Sequence, residues 1–193
     1  MSHSSGRHEF PVADIVLDRA EMEAGFDHLA KSIQPLIDLR DCILLAVMTG
    51  GLYPVVRLAD RLQGDFVIDY CHATRYAGST AGSLLEWREH PHLALSGKTV
   101  IVVDDIYDEG ITLQAVAEYC RDAGAQRVAT AVMVVKDRPR VANIAPPDYT
   151  TGLTVPDRYV FGCGMDLYGR WRHLPAIYAL RDVAVGSGDK DHG

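Results

Sequence analysis

The chain has 193 residues, 48% of them hydrophobic and 23% charged, with a formal net charge of -7. That length suits one domain with its own core, and the acidic balance argues against nonspecific binding to nucleic acid or an anionic membrane surface. The four cysteines, Cys42, Cys71, Cys120 and Cys163, are widely spaced with no CxxC and no paired Cys/His pattern, which argues against zinc and a disulfide framework and fits reduced, buried thiols.

Residues 1–10 and 186–193 are polar and are expected to lack structure, leaving a single domain across 1–193. No apolar run approaches the ~18 residues of a membrane span and no leader pattern opens the chain, so the cytoplasm is the expected compartment. Asp14 to Ile37 reads as helix-prone. "CILLAVM" (Cys42 to Met48) is a continuous apolar run that stops at Thr49-Gly50-Gly51. Leu52, Val55, Val56 and Ala59 then follow at i, i+3, i+4 and i+7, the spacing of one helical face, with Pro54 tolerated in the first turn.

"FVIDYCHATRY" (Phe66 to Tyr76) reads as a strand, and the small, polar stretch after it as a long mobile loop. Trp87, His72, His90, His92 and His173 read as structural. "KTVIVVDD" is a further apolar run ending on Asp104 and Asp105. Leu113, Val116, Ala117 and Cys120 mark a helix that ends near Gly124. "RVATAVMVVK" and "YVFGCGM" read as two more strands. Apolar strands alternating with helices predict an α/β fold with a mainly parallel central sheet flanked by helices.

The stretch "VIVVDDIYDEGITL" (Val100 to Leu113) sets four carboxylates, Asp104, Asp105, Asp108 and Glu109, within six residues. Like charges so close oppose folding unless a cation or a hydroxyl-rich ligand lies among them. In open α/β sheets ligands bind beyond the carboxyl ends of strands. Here Gly110, Ile111 and Thr112 open a helix whose amides suit a phosphate. A sugar phosphate satisfies both halves, its hydroxyls donating to the acids and its phosphate accepting from the amides. A solvated acidic loop capping a helix is the bland alternative. A calcium loop fails on spacing, and a response-regulator acid pair would leave too little chain after Asp105.

The same stretch resembles the phosphoribosyl-pyrophosphate (PRPP) motif of type I phosphoribosyltransferases. "LLAVMTGGLYPVVRLADRL", "DYCHATRY", "VVKDRP" and "DRYVFGCGMDLYGRWRHLP" resemble segments of the hypoxanthine-guanine phosphoribosyltransferases, in that family's order over most of residues 42 to 180. The resemblance implies the type I fold, with a small hood formed by terminal segments. It implies an enzyme of purine salvage that joins hypoxanthine or guanine to PRPP, uses Mg2+ and forms a homodimer or homotetramer.

Residue by residue, it implies that Asp104 and Asp105 hold the ribose hydroxyls and that Asp108 is the general base beside purine N7. Backbone groups of Asp108, Glu109, Gly110, Ile111 and Thr112 would cradle the 5′-phosphate. Thr49, Gly50, Gly51 and Arg172 would meet the pyrophosphate, and Lys136 would donate to purine O6. Tyr159 would stack on the purine, Val160 would offer backbone groups to its edge, and Asp166 would help hold magnesium. Arg75 and Tyr76 would open the mobile loop. Glu109 stands where the family usually has Thr, Ile111 where Lys is frequent, Thr49 where Lys is frequent, and Arg75 where Ser is common. The first of these puts PRPP affinity in question. A xanthine-preferring enzyme, and a regulator of the same fold that binds PRPP or nucleotide without turnover, are the competing readings.

Overall fold

The computed structural model describes residues 9–39, 41–75 and 85–181. In chain order the elements are β1 (Ala13–Leu17), α1 (Arg19–Ile37), β2 (Cys42–Val47), α2 (Leu52–Ala59), β3 (Phe66–Arg75), β4 (Leu85–Glu89) and β5 (Thr99–Tyr107). They continue with α3 (Ile111–Asp122), β6 (Arg127–Asp137), β7 (Tyr149–Thr150), β8 (Thr154–Pro156), β9 (Val160–Phe161) and β10 (Ile177–Leu180).

The central sheet runs β4-β3-β2-β5-β6-β7, with β8 also beside β6. All its pairs are parallel except β3 with β4. Helices cover both faces, which is why the strands read as unbroken apolar runs rather than alternating ones. Leu44, Ala46, Ile101 and Val103 pack in one cluster with Phe26 and Leu29 of α1 and Val55 and Leu58 of α2. Ile43, Leu45, Val100 and Val102 pack in another with Leu113, Val116 and Cys120 of α3. All four cysteines are free and buried. No helix among the described residues is long and apolar enough to cross a membrane.

A second sheet, β1-β10-β9, is antiparallel and joins the two ends of the chain. Asp14 on β1 accepts from Arg158 Nη2 at 3.1 Å and from Arg181 Nε at 2.6 Å, fastening the sheet. This is the expected hood.

Several elements differ from what the sequence predicts. Asp14 to Leu17 is strand, not helix. Asp18 starts α1 with a capping box, accepting from the Glu21 amide at 2.9 Å while Glu21 accepts from the Asp18 amide at 2.8 Å. On α2 the buried face is Pro54, Val55 and Leu58, whereas Leu52 and Val56 are each 49% exposed. Gly51 sets that rotation: a Cβ there would meet the carbonyl oxygens of Val103 and Val47 at 2.5 and 2.6 Å. Part of the stretch read as loop is strand β4, paired with His72 to Arg75. "YVFGCGM" shrinks to the two residues of β9, because Gly162, Cys163 and Gly164 all take positive φ.

Candidate active site

Strand β5 does not end at the acid pair. It runs on to Tyr107, because Ile106 and Tyr107 still pair with Val134 and Val135 of β6. Asp104 and Asp105 therefore sit within a central strand, beyond its last pairing with β2 at Val103, with Asp105 buried. The Asp105 amide donates to Asp104 Oδ1 at 2.9 Å. Burial, and then the Asp105 charge, push the Asp104 carboxyl well above the usual carboxylate range. Burial also raises Asp105, against hydrogen bonding from Asp104 and the nearby Arg172 guanidinium, which favour its ionised form.

Two glycines make room for Asp105. A Cβ on Gly50 would lie 1.9 Å from Asp105 Oδ2, and one on Gly164 would lie 2.4 Å from the Gly50 carbonyl oxygen. The turn after β2, the end of β5 and the turn after β9 thus meet with no side chain between them. The Met48–Thr49 peptide is cis. Thr49 is exposed, and the Gly51 amide is spent on the Val47 carbonyl at 2.8 Å.

Gly110 ends the turn after β5 with φ 78°, the left-handed region, and caps α3 with no side-chain hydrogen bond. A Cβ there would strike the Tyr107 ring at 2.3 Å and Ile144 at 2.8 Å. Tyr107 is in turn fixed by its hydroxyl donating to the Ala145 carbonyl at 3.0 Å and by Arg140 lying 5.1 Å over its ring. The first amides of α3, from Ile111 and Thr112, lack intrahelical acceptors by geometry and lie at the positive end of the helix dipole.

Asp108 lies between β5 and α3 and is held by two cations, one near the end of β6 and one just after it. Lys136 Nζ donates to its Oδ2 at 3.1 Å and Arg138 Nη1 to its Oδ1 at 2.6 Å. Burial favours the neutral acid, but these two cations outweigh it and hold the carboxyl below the usual range. Asp157 stands behind them, 3.7 Å from Lys136 Nζ and 4.0 Å from Arg138 Nε.

The other wall comes from the turn after β9. Arg172 Nη2 pairs with Asp166 Oδ1 at 2.7 Å, its Nη1 donates to the Gly164 carbonyl at 2.6 Å, and the Gly169 amide donates to Asp166 Oδ2 at 2.6 Å. Tyr159 is 51% exposed and Val160 is buried. Burial, then the Asp166 carboxylate, raise the Tyr159 phenol. Arg172 thus pairs with Asp166 and lies near enough to Asp105 for its charge to favour the ionised acid, and Tyr159 lies near Asp166.

Among the residues singled out in the sequence, Asp104 contacts Asp105, Gly50 lies against Asp105, Arg172 pairs with Asp166, and Lys136 pairs with Asp108. Arg75 is the last residue of β3, and Tyr76 lies outside the described residues. Two participants escaped the sequence reading, Arg138 and Asp157. "KDRPR" holds the first, a cation just past the end of β6 and two residues after Lys136. Asp157 comes from a connection that no periodicity marks. Of the side chains read as structural, Trp87 stacks on His90 at 4.6 Å and the His92 ring lies 3.4 Å from Asp69, while His90, His92 and His173 are exposed.

Among the described residues no group of three or more His, Cys, Asp or Glu side chains is arranged to hold a metal ion. Asp166 has both carboxylate oxygens engaged, which suits an ion met through water and carried by substrate oxygens, as magnesium is.

A family model described as "Phosphoribosyl transferase domain" matches residues 12–168. The chain is 24% identical over 178 residues to a hypoxanthine-guanine-xanthine phosphoribosyltransferase of Tritrichomonas foetus, covering 90% of this chain and 97% of that protein. It is 26% identical over 167 residues to the hypoxanthine phosphoribosyltransferase of Escherichia coli, covering 85% and 93%. A crystal structure of a hypoxanthine-guanine phosphoribosyltransferase from Bacillus anthracis superposes with a TM-score of 0.81 at 23% identity, covering 88% of this chain and 99% of that one.

Proposed function

This chain belongs to the phosphoribosyl transferase domain family, and from that premise we propose that it is a purine-salvage enzyme transferring the 5-phosphoribosyl group of PRPP to hypoxanthine or guanine. The observation that supports the reading is the run from an acid pair on β5 through Asp108, which Lys136 of β6 contacts, to a helix start without a side-chain cap. In the reaction, purine N9 bonds to C1 of the ribose as the C1–O bond breaks and pyrophosphate leaves with its electron pair. The N7 proton passes to a base, for which Asp108 is placed.

Asp104 and Asp105 accept from the ribose hydroxyls and oppose the positive charge that develops on the sugar. The 5′-phosphate sits on the backbone of Asp108 to Thr112, with the Glu109 side chain turned away from it. Arg172 and the amides of Thr49 and Gly50 meet the pyrophosphate, the Gly51 amide being already spent. Lys136 leaves Asp108 to donate to purine O6. Tyr159 covers the purine face, and Val160 offers its backbone to the edge. Asp166 would help hold magnesium, which would supply charge neutralisation for the departing pyrophosphate.

We assign the enzyme to the cytoplasm, as a homodimer or homotetramer. The relative named hypoxanthine-guanine-xanthine phosphoribosyltransferase favours xanthine as a third base, which would differ only at the purine 2-position. The test supplies PRPP and magnesium with hypoxanthine, guanine, xanthine and adenine in parallel, and follows nucleotide and pyrophosphate. Nucleotide bound without turnover would instead support the regulator of the same fold.

A further inference from the structure

The two cations on Asp108 do not do the same thing. Lys136 holds Oδ2 at 3.1 Å and Arg138 holds Oδ1 at 2.6 Å, so each carboxylate oxygen has its own partner. Lys136 is a single flexible ammonium that must move to reach a purine. Arg138 presents a planar fork whose Nε side faces Asp157 at 4.0 Å while its Nη1 grips Asp108. Its backbone is fixed too, since its amide donates to the Lys136 carbonyl at 3.1 Å and Pro139 follows it. The groups facing Asp108 are then Lys136 of β6 and Arg138 just after it, with Asp157 behind both and Glu109 close enough to act on Arg138.

Resting on the transferase reading above, we propose that Arg138 is a positioning residue: it anchors Asp108 by Oδ1, so that Oδ2 is left aimed at the purine N7 proton once Lys136 turns to O6. A purine with an acceptor at position 6 thereby uncovers the base that will deprotonate it. Without the anchor, Asp108 would follow Lys136 or rotate away, and its carboxylate would lose a neighbouring positive charge.

The experiment measures kcat and kcat/KM for hypoxanthine against pH in the wild-type enzyme, Arg138→Gln and Arg138→Lys. Arg138→Gln is expected to lose roughly 10-fold to 10²-fold in kcat through misorientation of the base. The acid limb of its kcat/KM profile, which reports the free enzyme, should move to higher pH because a cation that favours the carboxylate is gone. Arg138→Lys keeps the charge and should return the limb towards its wild-type position, while kcat stays reduced for want of the fork. A folded Arg138→Gln enzyme whose acid limb coincides with the wild type overturns the proposal. If that variant does not fold, Arg138→Lys decides alone, and wild-type kcat without a guanidinium refutes the anchor. Wild-type protein that forms no nucleotide from any of the four purines defeats the transferase reading itself, a result distinct from an active enzyme indifferent to position 138.

Discussion

Lys136 has three donors and no acceptor, and its ammonium is mostly buried between Asp108 and Asp157. Hypoxanthine and guanine offer it an acceptor at position 6, whereas adenine sets donor against donor. A site built around such a bond can reject the mismatched base by ~10⁴-fold. Lys136→Met is therefore expected to raise the KM for hypoxanthine and narrow the gap to adenine, with PRPP binding little changed. Comparable kcat/KM for both bases in the wild-type enzyme would sink the assignment. Glu109 is the residue least at home in its position, a carboxylate beside a phosphate seat. Glu109→Thr is expected to leave kcat nearly intact and to tighten PRPP modestly, as read by the KM for PRPP; a collapse of activity would give Glu109 a positive role. Single residues were legible where their chemistry is costly, as with four acids in six positions. Arg138 was not, because an arginine near a strand end is ordinary until its partner is known.

At the scale of the element, the end of β5 concentrates the conflict between folding and binding. The Asp104 carboxyl is raised by burial and by Asp105, so its folded pKa lies above the ~3.9 of an unfolded aspartate. Its contribution to stability is then fully present below the unfolded pKa and is lost as pH rises through the folded one. Asp104→Asn should raise the melting temperature at pH 8, by about 2–4 °C for each kcal/mol of relieved repulsion. The gain should vanish towards pH 4, where the wild-type acid is itself protonated, and nucleotide formation should fall because the ribose loses an acceptor. Equal melting curves at pH 8 would remove the conflict. The sequence showed the strand, the acids and the helix start in order. It misplaced the strand's end by two residues, because pairing of Ile106 and Tyr107 with β6 is a long-range contact. The buried stripe of α2 was misread for a similar reason: the close approach of Gly51 to β2 and β5, not local periodicity, rotates the helix.

For the whole molecule, alternation of apolar runs and helices made the parallel sheet readable, since both of its faces must be covered. The hood was readable only through the family resemblance, because its strands are two to five residues long and come from opposite ends of the chain. One surface bears on assembly. Val67, Ile68 and Tyr70 on β3 are 47%, 52% and 43% exposed, and β4 pairs with β3 only from His72 onward. Exposed apolar side chains on an open edge favour a partner. Light scattering is expected to give two or four chain masses, and Ile68→Glu to shift the protein towards one. A monomeric wild-type protein at micromolar concentration would contradict the assembly.

The four cysteines have a practical corollary. Burial pushes their thiols up, Cys42 and Cys120 to about 11 and Cys71 and Cys163 to about 12. Thiolate, not thiol, is the reactive form, so near neutrality all four are nearly silent towards maleimides and iodoacetamides. The native chain is thus already a background for spectroscopy, needing no cysteine removed. A single cysteine introduced anywhere on its surface would carry a fluorophore or spin label alone, in an otherwise unaltered protein.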